Sequence, residues 1–353
     1  MKRRQFLSNL ALATTAVGLL SESTASTNNP VNSSNVIKPV LARRLQPGMN
    51  IGVIAPSSNT WENQDVEYAL DVVRSLGFNA VAGKHLYKRH GYLAGSDSQR
   101  AEDVNLMFAD PDIQGIFCSR GGYGASRILP MLNYDVIRSN PKVLLGYSDI
   151  TALHLAINGI TGLITFHGPV AGQQFTEYTY QEFSRIIMRG EHPTSLAAPP
   201  RFSQAPGRAE RHNRITRFVL GKATGPLVGG NLSLLTSLMG TPYEPEFRGK
   251  ILFLEDVNEA PYSVDRMLTQ LWLAGVFSQI NGLIFGKFTD YETDAPSISM
   301  EAVLEQRCEG LSIPVMRGLM IGHVDDQSII PVGANAELDA DAGTLTLLGR
   351  ALI

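Results

Sequence analysis

The stretch Lys142-Val143-Leu144-Leu145-Gly146-Tyr147-Ser148-Asp149-Ile150-Thr151 carries an apolar strand into a glycine-bearing turn and then into a helix expected over Ile150 to Asn158. A short, wholly apolar run is what a strand buried on both faces requires, and such strands sit in parallel sheets. The pattern repeats upstream. Ile51-Gly52-Val53-Ile54-Ala55 is an apolar run stopped by Pro56-Ser57-Ser58. Asp65 to Leu76 has helical spacing and ends at Gly77, and Phe78 to Val81 is again strand-like. Arg100 to Phe108 predicts a helix, and Gly115-Ile116-Phe117-Cys118 a strand. It ends in Ser119-Arg120-Gly121-Gly122-Tyr123-Gly124, with a helix expected from there to about Leu132. Strands alternating with helices at this spacing imply an α/β fold with a parallel sheet covered on both faces. Ligands then bind beyond the carboxyl ends of the strands, where these loops lie.

The chain has 353 residues, 44% hydrophobic and 18% charged, enough for about two folded domains. A net charge of −3 offers no basic field for nucleic acid. Its two cysteines, Cys118 and Cys308, exclude a disulfide-dense scaffold and leave room for one bridge. The opening MKRRQFLSNLALATTAVGLLSESTA has a basic start, an apolar stretch from Leu10 to Leu20 and small residues at Ser23-Thr24-Ala25. That is an export signal over residues 1–25, too short for a membrane span. Arg3-Arg4-Gln5-Phe6-Leu7 resembles the twin-arginine signal, so a periplasmic location with no stable membrane anchor is expected. Residues 26–46 follow as a flexible tether, 47–170 as a first domain, 171–222 as a connecting segment and 223–353 as a second domain. In the second half Leu232–Leu238 and Pro261 to about Leu273 predict helices. Lys250 to Leu254, Gly282 to Phe285 and Leu345 to Leu348 predict strands.

Ser148 lies on a strand-to-helix turn, where a hydroxyl is exposed and the next backbone N–H groups face developing negative charge. The turn alone equally suits a plain helix cap by Ser148 or Asp149. It lacks the second glycine of the G-x-S-x-G elbow. In Arg120-Gly121-Gly122-Tyr123-Gly124 the glycines allow backbone amides to approach a ligand, or simply serve a tight turn. Leu254-Glu255-Asp256 places carboxylates at a strand end, and Ile321-Gly322-His323-Val324-Asp325-Asp326 offers a histidine in an acid-flanked loop. Ser148, Glu255 and His323 thus form a candidate nucleophile, orienting carboxylate and general base. His167, in Thr165-Phe166-His167-Gly168-Pro169, is a candidate pocket liner, whereas His154 is expected to pack in a helix. No H-E-x-x-H or C-x-x-C occurs, so neither a metal nor a cofactor is expected.

Taken in order, these motifs resemble the LD-carboxypeptidase family of serine peptidases, family S66, which includes the microcin C immunity peptidases. The likeness runs from about Pro47 to the C-terminus. It also takes in Gly229-Gly230-Asn231-Leu232, Pro261-Tyr262 and Asp265-Arg266-Met267-Leu268. It implies a flavodoxin-like N-terminal domain and a smaller, swivelling-type C-terminal α/β domain, with the site at their interface and a homodimer expected. It also implies Ser148 as nucleophile, Glu255 and His323 as its partners, and an oxyanion hole from the N–H groups of Asp149 and Gly122, with Gly121 the second choice.

The activity so implied is removal of the terminal D-Ala from a murein tetrapeptide or muropeptide, with Arg120 receiving the free carboxylate and Gly121 and His167 near the substrate. Within the same family, the alternative is a microcin C-type aminoacyl-nucleotide amidase, for which Phe175, Tyr178 or Tyr180 would stack the base. In a different class stands a non-catalytic periplasmic solute-binding protein, which has no use for the serine, glutamate and histidine together.

Overall fold

The structure, a computed structural model, describes residues 38–293 and 296–353. The expected export signal and the first part of the tether lie outside them. The first half consists of β1 (Asn50–Ile54), α1 (Asn63–Ser75), β2 (Asn79–Ala82), α2 (Asp97–Ala109), β3 (Gly115–Cys118), α3 (Ala125–Ile128), α4 (Tyr134–Ser139), β4 (Val143–Gly146), α5 (Thr151–Thr161) and β5 (Thr165–His167). Next come α6 (Glu177–Phe183), β6 (Thr194–Leu196), β7 (Thr216–Val219), β8 (Lys222–Asn231), α7 (Leu232–Leu238), β9 (Ile251–Val257) and α8 (Pro261–Leu273). The chain closes with β10 (Gly282–Thr289), α9 (Met300–Cys308), β11 (Val315–Arg317), β12 (Ile330–Val332), β13 (Asn335–Asp339) and β14 (Thr344–Leu347).

The strands of the first half are parallel in the order β2-β1-β3-β4-β5, which is the flavodoxin-like winding. Their apolar runs are buried because helices cover the sheet: Val53, Ile116, Leu144 and Leu145 are all fully inaccessible. The winding reverses between β1 and β3, so the loops after these strands part and open a crevice at their carboxyl ends. Local chemistry fixes the helices that frame it. Ser96 accepts the N–H of Gln99, whose side chain reaches back to Ser96 N–H, a reciprocal cap on α2. Gly162 ends α5 with a left-handed φ of 78°.

The second sheet is mixed, in the order β6-β14-β13-β8-β9-β10-β11-β7. Its centre, β8 to β11, is parallel, and the strands outside it are antiparallel. The halves are joined at several places. Near the site, the N–H of Asn231 donates to Thr151 Oγ1 at 3.0 Å, and a Cβ on Gly230 would lie 2.5 Å from that same oxygen. Glycine is therefore required there by the close approach of α5.

Four expectations need correction. The helix expected to run on to Leu132 splits into α3 and a 3₁₀ turn at Leu129–Met131, because Pro130 cannot donate to an α-helical ladder. The strand expected to end at Leu254 continues to Val257, so Glu255 and Asp256 lie inside β9. The expected tether is packed from Val40 onward: its N–H donates to Gly162 O at 2.8 Å, and Ala42 and Leu45 are buried. The apolar side chains of that segment belong to the core. Finally, residues 171–222 do more than connect, since β6 and β7 within them supply both edge strands of the second sheet.

Candidate active site

Beyond β4 the chain turns sharply. Tyr147 is extended, and Ser148 has φ of 64°, a left-handed conformation that a non-glycine residue adopts only when its surroundings impose it. The imposing neighbour is the loop after β3. A Cβ on Gly121 would lie 2.8 Å from Ser148 Cβ and 3.0 Å from its Oγ, so the loop backbone lies directly on the serine. Gly122 has φ of 108° and instead lies against the Ser58 side chain. Of the two glycines, the one favoured from sequence is thus farther from Ser148 than its neighbour. The backbone N–H groups of Gly121, Gly122 and Asp149 bond no backbone acceptor among the described residues.

The adjacent carboxylates on β9 part company because successive strand residues face opposite ways. Asp256 accepts from Asn231 Nδ2 at 2.9 Å and from Ser233 N–H and Oγ at 2.9 and 2.8 Å, fastening the start of α7 to β9. Burial pushes its carboxyl above the ordinary range, with the Glu255 charge adding to the rise. Glu255 is fully buried and faces the other way, its Oε2 lying 2.8 Å from His323 Nδ1. Facing a carboxylate, Nδ1 carries the proton, which leaves Nε2 with its lone pair free. Gly322 makes room for this pair: its φ is 119°, and a Cβ there would stand 2.9 Å from Glu255 Oε2.

The Tyr147 ring centroid lies 4.7 Å from that of His323, so the pair sits beside the Ser148 turn. Burial, with the Glu255 charge second, pushes the Tyr147 hydroxyl up to about 12 and keeps it protonated. The structure therefore brings Glu255 and His323 into contact and sets His323 against the residue preceding Ser148. Ser148 Oγ makes no hydrogen bond among the described residues, and catalytic contacts often close only around substrate.

A cavity of about 520 Å³ opens here, with Ser119, Arg120, Tyr147, Gln173, His323 and Asp325 in its wall. Arg120 is part-buried, with Nη1 donating to Asn59 O at 2.6 Å, and has no carboxylate partner among the described residues. His167 does not line this cavity: it is wholly buried, its ring 6.0 Å from Tyr147 and 5.5 Å from Phe253. Its position on β5 beneath the turn makes it a packing residue. Phe175 packs edge-on against Phe183 at 5.6 Å, and the Tyr178 hydroxyl donates to Ala198 O at 2.8 Å. Tyr180 is exposed on α6, and none of these three aromatics is part of the cavity wall. Cys118 and Cys308 are both free and buried, with no bridge between them, and burial raises both thiols.

His154 also behaves as a packed group. Its Nε2 lies 2.8 Å from Gly146 O, and burial lowers its pKa to about 4; His167 is held well below the usual range by the same cause. A histidine that stays neutral when folded loses stability as pH falls, because the unfolded chain takes up the proton first. The window lies between about 6.5 and about 4, and His154 alone accounts for a stability loss of about 3 kcal/mol across it. Denaturant titrations at pH 7 and pH 5 are expected to show a smaller pH dependence for His154→Gln than for the native protein. An equal dependence would mean that His154 is not the titrating group.

Sequence reasoning missed the supports of the site. Ser57, Thr151 and Arg100 were read as parts of motifs or helices, yet Thr151 joins the halves and Arg100 is buried beneath the loops. Charged residues at Arg100 and Asp103, three apart on the face of α2 that also carries Val104 and Met107, were the available signal.

Residues 51–168 match the family model described as the LD-carboxypeptidase N-terminal domain, and residues 224–338 match the C-terminal domain. The chain is 38% identical over 312 residues to the "Probable murein peptide carboxypeptidase" of Bacillus subtilis, covering 86% of this chain and 93% of that protein. It is 31% identical over 298 residues to the "Murein tetrapeptide carboxypeptidase" of Pseudomonas aeruginosa, covering 82% and 93%. It is also 31% identical over 330 residues to the "Microcin C7 self-immunity protein MccF" of Escherichia coli, covering 88% and 96%. The structure of MccF in complex with glutamyl sulfamoyl guanosine superposes with a TM-score of 0.81 at 30% identity, covering 89% of this chain and all of that one. The chain belongs to the LD-carboxypeptidase family, and it is an enzyme, a carboxypeptidase of the serine type.

Proposed function

We propose that this protein removes the terminal D-Ala from murein tetrapeptides through an acyl-enzyme on Ser148. The observation that carries this reading is the Glu255–His323 pair at 2.8 Å, with His323 set against Tyr147, the residue before the left-handed Ser148, in the wall of the cavity. In the reaction His323 Nε2 takes the Ser148 proton as Oγ attacks the carbonyl of the L-centre. Glu255 holds the tautomer and supports the imidazolium. The carbonyl oxygen gathers negative charge, which the N–H groups of Asp149 and the Gly121–Gly122 turn receive. The imidazolium then protonates the departing D-Ala amine, and water releases the acyl group by the same steps in reverse.

Arg120, free of any carboxylate of the described chain, receives the terminal carboxylate of the substrate. The aminoacyl-nucleotide reading has less support, because the rings of Phe175 and Tyr178 are engaged elsewhere and Tyr180 lies off the cavity wall. The leader-like residues 1–25 support export to the periplasm, where murein and its soluble fragments are at hand.

The test supplies the protein lacking residues 1–25 with disaccharide-tetrapeptide and, separately, with an aminoacyl sulfamoyl nucleoside. Mass loss of one D-Ala from the first, with the second left intact, is the expected result. Cleavage of the nucleoside alone would replace this reading with the amidase one. Arg120→Gln is expected to raise KM by about tenfold with little change in kcat, as follows from losing a charge-assisted bond made equally in ground and transition states. An unchanged KM would remove Arg120 from substrate binding.

A further inference from the structure

Asp149 follows the proposed nucleophile, and its side chain has a place in the structure that its backbone role does not explain. The carboxylate is 1% exposed, and its Oδ2 accepts from Ser57 Oγ at 2.5 Å and from Ala125 N–H at 2.7 Å. Ser57 belongs to the loop after β1, and Ala125 closes the glycine loop after β3. The same two loops are held from the other side by Arg100, also 1% exposed. Its Nη1 donates to Pro56 O at 2.5 Å and to Gly124 O at 2.8 Å, and Nη2 pairs with Asp97.

Two buried groups of opposite charge therefore grip the same pair of loops. Arg100 binds the carbonyls of Pro56 and Gly124, and Asp149 binds the donors one residue further on. Burying charged groups is costly, and the bonds that offset the cost fix the two loops to one another, with only Arg100 Nε left without a partner among the described atoms of this pair. What the pair touches is the closing end of the glycine turn, at Gly124 and Ala125, whose Gly121 lies against Ser148.

We propose that the Asp149 carboxylate, with Ser57 as its partner and Arg100 holding the same two loops, is a positioning residue that sets the N–H groups of the glycine turn against the developing oxyanion. The inference rests on Ser148 being the nucleophile. A misplaced donor weakens the tetrahedral state and leaves ground-state binding intact, because donors of this kind bond strongly only to the oxyanion.

The experiment compares Asp149→Asn and Ser57→Ala with the native protein by three measurements: kcat and KM on the tetrapeptide, affinity for a peptide boronic acid, and affinity for the product tripeptide. The boronic acid forms a tetrahedral adduct on a serine, whereas the tripeptide does not. Asp149→Asn is expected to lower kcat by about 10²-fold and to weaken the boronate in step, with KM and tripeptide affinity within about threefold. Ser57→Ala, which leaves the carboxylate its other partners, is expected to show the same split at about tenfold; it decides the matter if Asp149→Asn does not fold.

Native kcat in a folded Asp149→Asn or Ser57→Ala variant, or parallel loss of boronate and tripeptide binding, would overturn the proposal. Failure of the underlying reading looks different. In that case Ser148→Ala retains turnover and the boronate adds no mass to Ser148 of the native protein.

Discussion

Glu255→Gln is expected to lower turnover of the tetrapeptide by about 10⁴-fold while leaving KM within a few-fold. Glu255 is fully buried, and its bond to His323 Nδ1 at 2.8 Å fixes which ring nitrogen carries the proton. An amide in its place has one donor and one acceptor end. When the amide N–H faces His323, the imidazole must present a bare Nδ1, and its proton moves to Nε2, where it can no longer accept from Ser148. When the carbonyl faces His323 the tautomer survives, but the negative charge that supports the imidazolium is gone from a site of low dielectric. Either way the loss falls on the transition state. Saturation kinetics with a melting curve beside them give the result. Turnover within tenfold of native would remove Glu255 from the chemistry.

The second large effect is steric. Gly121→Ala is expected to cut kcat by at least about 10²-fold in a protein that melts within a few degrees of native. Gly121 is not in the left-handed region, so alanine suits its backbone, and the whole effect comes from the added methyl. That methyl would stand 2.8 Å from Ser148 Cβ and 3.3 Å from Tyr147 O. The serine cannot yield by relaxing, because its φ of 64° is already imposed by its neighbours. The glycine turn must retreat instead, and its N–H groups move away from the carbonyl oxygen they are to receive. Gly159→Ala is the matched control, since a Cβ there meets nothing within 4 Å on the helix that begins at Thr151. It is expected to keep full activity and to gain about 0.5 kcal/mol of stability. A fully active Gly121→Ala enzyme would mean that the glycine turn plays no part in the reaction.

Strands β1, β3 and β4 of the first sheet were legible because they are short apolar runs that stop at glycine or small residues, whereas β5 and β12 at its edge were not. Leu232–Leu238 and Pro261–Leu273 were legible to the residue because Asn231 caps one helix and Pro261 opens the other. The edges of the second sheet were hidden. Strands such as Thr194–Leu196 and Thr216–Val219 are short and half-exposed, and no periodicity survives over so few residues. Individual motifs suggested the serine, the carboxylate and the histidine, but contact between Glu255 and His323 spans 68 positions and depends on β9, β10 and β11 lying side by side in the second sheet. The sequence points to Glu255 as the orienting carboxylate, but the motif gives no physical reason why Glu255 and not Asp256 meets the histidine. It follows from strand alternation, and the strand was expected to stop at Leu254. His167 was misplaced for the opposite reason: its glycine-flanked setting looks like a binding loop, yet it is a strand residue beneath the floor of the site.

One strand carries a consequence for how the molecule comes apart. β12 lies beyond the His323 loop in sequence, yet it pairs antiparallel with β5 through Ile330–His167, Pro331–Phe166 and Val332–Thr165. The C-terminal half thereby contributes a rung to the N-terminal sheet. A backbone cut in the exposed, polar passage around residues 203–211 would leave two fragments that still share a continuous ladder and a common core. Such a nicked chain carries Ser148 on one piece and Glu255 and His323 on the other. The same feature makes the chain a natural two-piece reporter, in which activity returns only when separately made fragments reassemble.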